Sequence, residues 1–510
     1  MKLAAIDIGT NSIHMVIVEA RSREQFDILM QEKEMVKLGE GVFASNIIND
    51  RAFKAGIETI KRYVQLADQF GVDHIITSAT SATREAKNGR DFLDAIIAEA
   101  GLSPQLISGK EEARLIFLAV RKAIDLKGQR AMVLDIGGGS TEAVTGDNHK
   151  VDYCKSMKLG VLRLLDYVGH QNPLNEDELT RLKEHVRKTA QKVMQGALER
   201  GFDRIIGTSG TIRSLGEACL TKQGNPSPES VNAEWVSLEA LEKLAKKLCT
   251  LNPEDRAKVN GISSNRADAV HLGAVLLVEL MQLSGLNGIT LSDASLREGM
   301  ILDYLYRHDG VFESGIGGKH VKEKSCLLLA SRYEVDVEEK FHVARLALQI
   351  FDQLKDIHGA ETEDRQLLYH SCIIYEVGLF VKFQDYHKHS RYLIWNSQLR
   401  GFNNEEVLLL GHLARYHRKG GPKKKQKKFR KLIKSQQKRL RLLSGVLRVA
   451  VGLDKTKNQW VQHVYCVPET KKITIKVFAE ETPDLEIWEA QRFSDVLSKS
   501  LKRNIEIVAG

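Results

Sequence analysis

Two short stretches of the chain carry the same phrase. Residues 4–12 read Ala-Ala-Ile-Asp-Ile-Gly-Thr-Asn-Ser, and residues 132–140 read Met-Val-Leu-Asp-Ile-Gly-Gly-Gly-Ser. Each is an apolar run that ends in Asp and then turns on glycine and small polar residues. Glycine admits positive φ at such a turn and lets a phosphate approach the peptide N–H groups. Gly9, Thr10, Asn11 and Ser12 in the first copy, and Gly137, Gly138, Gly139, Ser140 and Thr141 in the second, are therefore candidate phosphate-binding residues. Asp7 and Asp135 are hard oxygen ligands placed to hold Mg²⁺, directly or through water. A single copy would be an ordinary Gly/Ser hairpin, whereas two matched copies point to a pair of phosphate grips. A third turn, Gly207-Thr-Ser-Gly-Thr211, follows a strand and precedes a helix. Its Gly207, Ser209, Gly210 and Thr211 would offer an anion the N–H groups of a helix N-terminus, although alone it would read as a plain strand-to-helix loop.

The elements that must position these turns alternate. Residues 1–19 and Phe26–Met30 read as strands, Arg51–Phe70 as a helix, His74–Ser78 as a buried strand, and 91–100 and 110–124 as helices. Arg130–Asp135 opens a second unit with helical patterns over 176–200, 234–250 and 266–284. Strands alternating with helices mean α/β. The repeated phrase heading each unit implies a duplicated fold, because its spacing is far too long for a tandem solenoid. Gly310–Lys319 reads as a linker, 322–416 as mostly helical, and the end as strand (Lys472–Phe478), helix (483–502) and strand (Ile505–Val508). The expected domains are 1–124, 125–306, a linker at 307–320, 321–455 and 456–510.

These motifs resemble the superfamily of actin and the sugar kinases, whose two hairpins grip phosphates across an interdomain cleft. More closely, the chain resembles the exopolyphosphatase/guanosine pentaphosphate phosphatase family. The matching phrases are Asp7-Ile-Gly-Thr-Asn-Ser12, Ala79-Thr-Ser-Ala-Thr-Arg-Glu-Ala86, Ile107-Ser-Gly-Lys-Glu-Glu-Ala-Arg114, Asp135-Ile-Gly-Gly-Gly-Ser-Thr-Glu142, Gly207-Thr-Ser-Gly-Thr211 and Ser295-Leu-Arg-Glu-Gly299. The resemblance implies two actin-like (ribonuclease-H-like) α/β domains, with Glu112 as the catalytic glutamate and Glu142 as a second essential acid that also serves Mg²⁺. It implies Arg84 as a substrate contact at the cleft mouth, and a homodimer. Without it, Glu111 and Glu112 would be acids favouring the positive end of a helix. The implied reaction is hydrolysis of terminal orthophosphate from inorganic polyphosphate, with guanosine pentaphosphate as the rival substrate. A loose transition state for phosphoryl transfer asks for little more than positioned water, amides and a cation. A sugar kinase would need a separate hydroxyl substrate and an adenosine pocket, and nothing in composition suggests a filament. A non-catalytic regulator that binds polyphosphate or an alarmone is the other class, and intact Glu112 and Glu142 speak against it.

The second half resembles an HD-type helical domain followed by a small α+β domain. Of the metal ligands that such a domain uses, only His342 is kept. Tyr375 and Glu376 replace the His-Asp pair, and Val451 stands where the last Asp should be, so a retained fold with lost metal chemistry is expected. His370, His387, His389, His412 and His417 read as packing and surface residues, some able to assist anion binding near Arg391, Arg415 and Arg418.

Net charge is +9 over 510 residues, and Arg418–Arg439 alone holds twelve Lys/Arg and no Asp/Glu. Without that segment the rest would carry about −3. It is either a solvated face or an anion-binding surface. The family resemblance favours a polyanion channel through Arg418, Lys423, Lys424, Lys425, Lys427 and Lys428. Nucleic acid fits poorly, because Phe429 is the run's one aromatic and supplies no stacking platform. No apolar run reaches membrane-spanning length. A first strand starting at Leu3 leaves no room for a signal peptide, and six scattered cysteines suit a reducing cytoplasm.

Overall fold

A computed structural model describes residues 1–22, 25–169, 173–221, 230–308, 321–423 and 425–510. The expected Gly310–Lys319 linker and Lys424 lie outside these residues. The chain divides into two compact units, Met1–Gly317 and Gly318–Gly510.

The first unit holds two sheets of like topology. Strands β1 (Lys2–Ile8), β2 (Ile13–Ser22), β3 (Gln25–Glu34), β4 (His74–Ala79) and β5 (Gln105–Leu106) take the order β3-β2-β1-β4-β5. Strands β6 (Ala131–Ile136), β7 (Thr141–Gly146), β8 (Val151–Met157), β9 (Arg204–Thr208), β10 (Trp235–Ser237) and β11 (Gly288–Leu291) take the order β10-β11-β9-β6-β7-β8. In each sheet the first three strands are antiparallel neighbours and the next joins the first in parallel, β1 to β4 and β6 to β9. This is the actin-like, ribonuclease-H-like arrangement, present twice.

Both faces of each sheet are covered, so the central strands are apolar throughout and alternate residues serve opposite faces. Leu3 and Ala5 of β1, and Ala131 and Val133 of β6, share one core with the helices Gly109–Ala123 and Leu296–Arg307. Ala4, Ile6 and Ile8 face the helices Asp50–Gln69 and Gly89–Ala100 instead. Met132, Leu134 and Ile136 face Glu176–Arg200 and Val270–Ser284. One helical layer thus lies between the two sheets.

Local chemistry sets the helix that matters most. The Ser108 side chain caps Gly109–Ala123 by accepting from the Glu111 N–H. Glu111 and Glu112 fill its first turn and Arg121 and Lys122 its last, which matches the helix dipole at both ends. Its apolar residues Ala113, Ile116, Phe117 and Val120 are buried at helical spacing. Two expectations differ from the structure. Residues 235–237 form the edge strand β10 before the helix Leu238–Thr250, and the pattern over 266–284 becomes helical only at Val270, after a short turn at Ser264–Arg266.

The second unit is mainly helical, with helices Val321–Arg332, Val337–Gln353, Thr362–Ile374, Tyr386–Trp395, Asn404–Tyr416 and Lys434–Gly452. Strands β12 (Val461–Pro468), β13 (Lys472–Ala479) and β14 (Asn504–Ala509) form a sheet whose Val464, Ile475 and Ile507 join the same apolar core as Cys326, Leu368 and Leu447. The helices and the small sheet therefore share one core across residue 455.

Candidate active site

The two repeated phrases fold into matching hairpins. Asp7 pairs with His14 and Ile8 with Ile13 across the first, while Asp135 pairs with Glu142 and Ile136 with Thr141 across the second. Each loop is closed by one backbone bond, Gly9 N–H to Ser12 C=O at 3.2 Å and Gly137 N–H to Ser140 C=O at 2.9 Å. The carbonyls of Thr10, Asn11, Gly137 and Gly138 accept from the N–H groups of Gly39, Lys37, Val161 and Leu162. Because the peptide is planar and trans, the N–H across each of those units points the opposite way. Those amides belong to Asn11, Ser12, Gly138 and Gly139.

The hairpins flank a cavity of about 700 Å³, lined by Asp7, Gly9, Thr10, Asn11, Ser12, Asp135, Gly137, Gly138, Gly139, Ser140, Ser209, Gly210, Thr211 and Glu112. The approach is close enough to require glycine. A Cβ on Gly139 would lie 2.4 Å from the Phe43 ring and 2.6 Å from Ser81 Oγ. The helix Ser209–Leu220 starts at the cavity wall, and Ser209 adopts φ +79°, a left-handed conformation that non-glycine residues rarely take. Its hydroxyl donates to the Ile136 carbonyl at 2.8 Å, tying the third turn to the second hairpin.

Two expected phosphate contacts have other duties. Thr141 is fully buried in β7, and its hydroxyl donates to the Leu159 carbonyl at 2.6 Å. Gly207 lies inside β9, where a Cβ would meet Ile212 and Ile289 at 2.6 Å. Thr141 thus anchors the segment after β8, and Gly207 lets a helix pack against its own sheet.

Asp7, Glu112 and Asp135 line the cavity, and Glu142 is the cross-strand partner of Asp135. Burial lifts Asp7 to about 6, against the opposing charge of Arg297. Burial, Glu142 and Asp7 lift Asp135 to about 8. Glu142 is pushed up to about 7 by burial, opposed by the Ser156 and Ser140 hydroxyls and by Arg84. Glu112 is driven well above its ordinary range by burial and then by Glu142, with Arg84 opposing. Ser156 Oγ donates to Glu142 Oε1 at 2.7 Å. Arg84 donates to the Ile107 carbonyl at 2.7 Å and stands 3.6 Å from Glu112 Oε2, too far for a hydrogen bond. Asp7 Oδ1 and Glu112 Oε2 are buried with no hydrogen-bond partner.

The residues suit Mg²⁺ in a particular way. Among the described residues no three His, Cys, Asp or Glu side chains are arranged to hold a metal alone. Mg²⁺ commonly keeps several waters and takes one or two carboxylates plus substrate phosphate. Asp7, with its unpartnered oxygen, and Asp135 fit that demand, and Glu142 adds charge nearby.

Another part of the lining is basic and was not singled out from sequence. Lys33, Arg213, Arg266 and Arg297 line it, together with His14. Arg297, a guanidinium that can only donate, lies 3.2 Å from His14 Nδ1, so Nε2 carries the proton and donates to Ser12 Oγ at 2.7 Å. Burial and then Arg297, Lys33 and Arg266 hold His14 near 3, which keeps it neutral. Arg297 sits within the Ser295–Gly299 phrase and Arg213 follows the third turn by two residues, so both lay in or beside motifs. Lys33 and Arg266 carry no motif, and only the fold brings them to the cleft.

In the second unit, the basic run is anchored rather than tail-like. Phe429 is fully buried, and Arg439 pairs with Asp364 at 2.6 Å and Glu405 at 2.8 Å. Lys428 lies 4.5 Å over the Trp395 ring and Arg418 lies 4.6 Å over Tyr386. Lys423, Lys425 and Lys427 occupy the same segment. Next to them, Arg415 Nη1 and both ring nitrogens of His387 and His412 are buried without hydrogen-bond partners. Burial, with Arg391, Lys428 and Arg415 around it, holds His412 near 4. His342 Nε2 stands 3.8 Å from Asp454 Oδ1. Beside them the buried Lys340 ammonium donates to Glu339, Glu376 and Tyr375, and Lys457 also pairs with both glutamates.

A duplicated actin-like fold with paired glycine hairpins, buried carboxylates and an arginine wall defines a phosphate-handling cleft. The Ppx/GppA phosphatase family model matches residues 16–308, and the model for domain III of that family matches residues 321–488. The chain belongs to the Ppx/GppA phosphatase family. Among solved structures, the Aquifex aeolicus Ppx/GppA family member is 28% identical with a TM-score of 0.53, over 61% of this chain and 99% of that one. An exopolyphosphatase from Cytophaga hutchinsonii is 28% identical with a TM-score of 0.57, over 60% of this chain and 98% of that one. Among the described residues, no helix is long and apolar enough to cross a membrane.

Proposed function

We propose that this chain is an exopolyphosphatase that releases terminal orthophosphate from inorganic polyphosphate in the cleft of its first unit. The observation that carries this reading is that Glu112, two hairpin carboxyls, two glycine hairpins and several arginines line one cavity. The terminal phosphate is held by the amides of Asn11, Ser12, Gly138 and Gly139 and by the Ser12 and Ser140 hydroxyls. Glu112 accepts a proton from water as the water oxygen bonds to phosphorus, the bridging P–O bond breaks, and the shortened chain leaves with the bridging oxygen. A carboxyl held above its ordinary range suits this role near neutral pH. Asp7 and Asp135 would hold Mg²⁺, which when bound neutralises charge on the phosphate. The Arg84 charge, 3.6 Å from Glu112, favours the ionised form of that carboxyl.

The helical unit fits an HD-like domain without a metal. Lys340 places an ammonium between Glu339 and Glu376, and a fixed cation there leaves a divalent ion no net attraction. The cationic residues Arg391, Arg415, Arg418, Lys423, Lys425, Lys427 and Lys428 bind further phosphates of the chain.

Guanosine pentaphosphate hydrolysis is the second reading, and Leu162, Leu165 and Val270 on the cavity wall favour it by offering an apolar seat for a base. The test compares orthophosphate release, with Mg²⁺, from long-chain polyphosphate and from guanosine pentaphosphate at equal terminal-phosphate concentration. Higher kcat/KM on the polymer is expected. A preference for the nucleotide overturns the first reading, and binding of both without release would make the protein a sensor.

A further inference from the structure

Beyond the shared helical layer, one side chain that neither hairpin contains bridges the two halves of the first unit. Arg163 lies on the helix Val161–Val168, which follows the second sheet's antiparallel strands. Its Nε donates to the Gly139 carbonyl at 2.7 Å, and its Nη2 donates to Glu85 Oε1 at 2.6 Å. Its guanidinium stacks 3.9 Å from the centre of the Phe43 ring. Gly139 belongs to the second hairpin, whereas Glu85 and Phe43 belong to the first half. Glu85 also receives Ser81 Oγ at 3.2 Å and pairs with Lys158 at 3.3 Å. Its carboxyl is held below its ordinary range although burial opposes that, because Arg163 and Lys158 face it.

Glu85 follows Arg84 directly at the end of the helix Ser81–Glu85. The same short helix therefore presents Arg84 to Glu112 and Glu85 to Arg163. We infer that Arg163 and Glu85 form a latch that holds the cleft closed and sets the second hairpin's amides opposite the first, Arg163 being a positioning residue rather than a catalytic one. Opening the cleft would break a charge-assisted hydrogen bond, a stacked guanidinium and the support of the Gly139 carbonyl together. The closed arrangement then exists before the anion arrives, and the latch raises apparent affinity by raising the fraction of competent protein.

The inference rests on the cleft being the anion site, so the test separates the two. Tripolyphosphate serves as the probe for kinetics and for titration calorimetry with wild type, Arg163→Met, Glu85→Gln, the double variant and Arg163→Lys. Each single variant is expected to raise KM about tenfold while kcat stays within about threefold. The double variant should be no worse than the weaker single one, and Arg163→Lys, which keeps the charge but not the paired hydrogen bonds or the stacking, should recover part of the loss. Additive losses, a fall in kcat at constant KM, unchanged kinetics, or a lysine variant no better than methionine would each overturn the latch with the cleft reading intact. A wild type that neither cleaves nor binds tripolyphosphate would overturn both.

Discussion

At the scale of single residues, the cleft is defined by a conflict between burial and charge. Asp7, Glu112, Asp135 and Glu142 are each raised by burial, and Glu112 and Asp135 are raised further by Glu142 and Asp7. A carboxyl whose folded pKa is raised contributes stability below its unfolded value and loses it as pH rises through the folded one. Without divalent cation, stability of the first unit should therefore fall between about pH 4 and pH 8, the window spanned by Asp7, Glu142 and Asp135. Thermal unfolding should show a lower Tm at pH 8 than at pH 5, and Mg²⁺ should raise Tm more at pH 8. A Tm insensitive to Mg²⁺ at both pH values would remove the carboxylates as its ligands. Glu112→Gln should cut phosphate release by about 10²–10⁴-fold. It should leave Tm unchanged or higher, because it also removes one of the crowded charges. Near-normal release by that variant would reassign the base.

At the scale of elements, the site depends on how closely backbone segments approach. Gly139→Ala would drive a methyl into the Phe43 ring and Ser81, at 2.4 and 2.6 Å. The loop must shift, with a stability cost of about 1–3 kcal/mol and weaker phosphate binding, both measurable by denaturant unfolding and calorimetry. In the second unit the helix Val337–Gln353 carries Lys340 against Glu376, whose carboxyl is held near 2 because Lys340 and Lys457 outweigh its burial. A depressed carboxyl gives stability that is lost as pH falls, here from 4.5 towards about 2. Lys340→Met should destabilise this unit by about 3 kcal/mol and flatten that acid dependence. An unchanged acid-unfolding profile would mean that Lys457 alone holds both glutamates.

At the scale of the whole molecule, a cleft that cleaves one bond differs from a surface that holds a polymer. If Arg418 and the lysine segment grip the chain, Gln at Lys423, Lys424, Lys425, Lys427 and Lys428 should weaken turnover of long chains more than of tripolyphosphate. Added salt should act the same way, because a longer anion displaces more counterions. Equal losses on long and short substrates would confine binding to the first unit.

Much of this protein could be read before any fold was known, and the reasons are local. The hairpins at Asp7–Ser12 and Asp135–Ser140 are legible because glycine after a strand has few other uses, and the helix carrying Glu112 because its cap and charge pattern lie within its own sequence. Duplication was legible because the same phrase heads both α/β halves of the first unit. Other properties belong to contacts between distant segments. Thr141 looked like a phosphate ligand, yet its hydroxyl is spent on Leu159. Gly207 looked like part of a binding turn, yet it makes room for Ile212 and Ile289. Trp235–Ser237 continued a helical pattern and became an edge strand because β11 was there to pair with it. Lys33 and Arg266 lie far apart in the chain and outside every motif, and only the closing of two α/β halves makes them one wall. Periodicity and turn chemistry act within a few residues, whereas burial, raised carboxyl pKa values and the Arg163–Glu85 contact arise only once remote segments exclude water together.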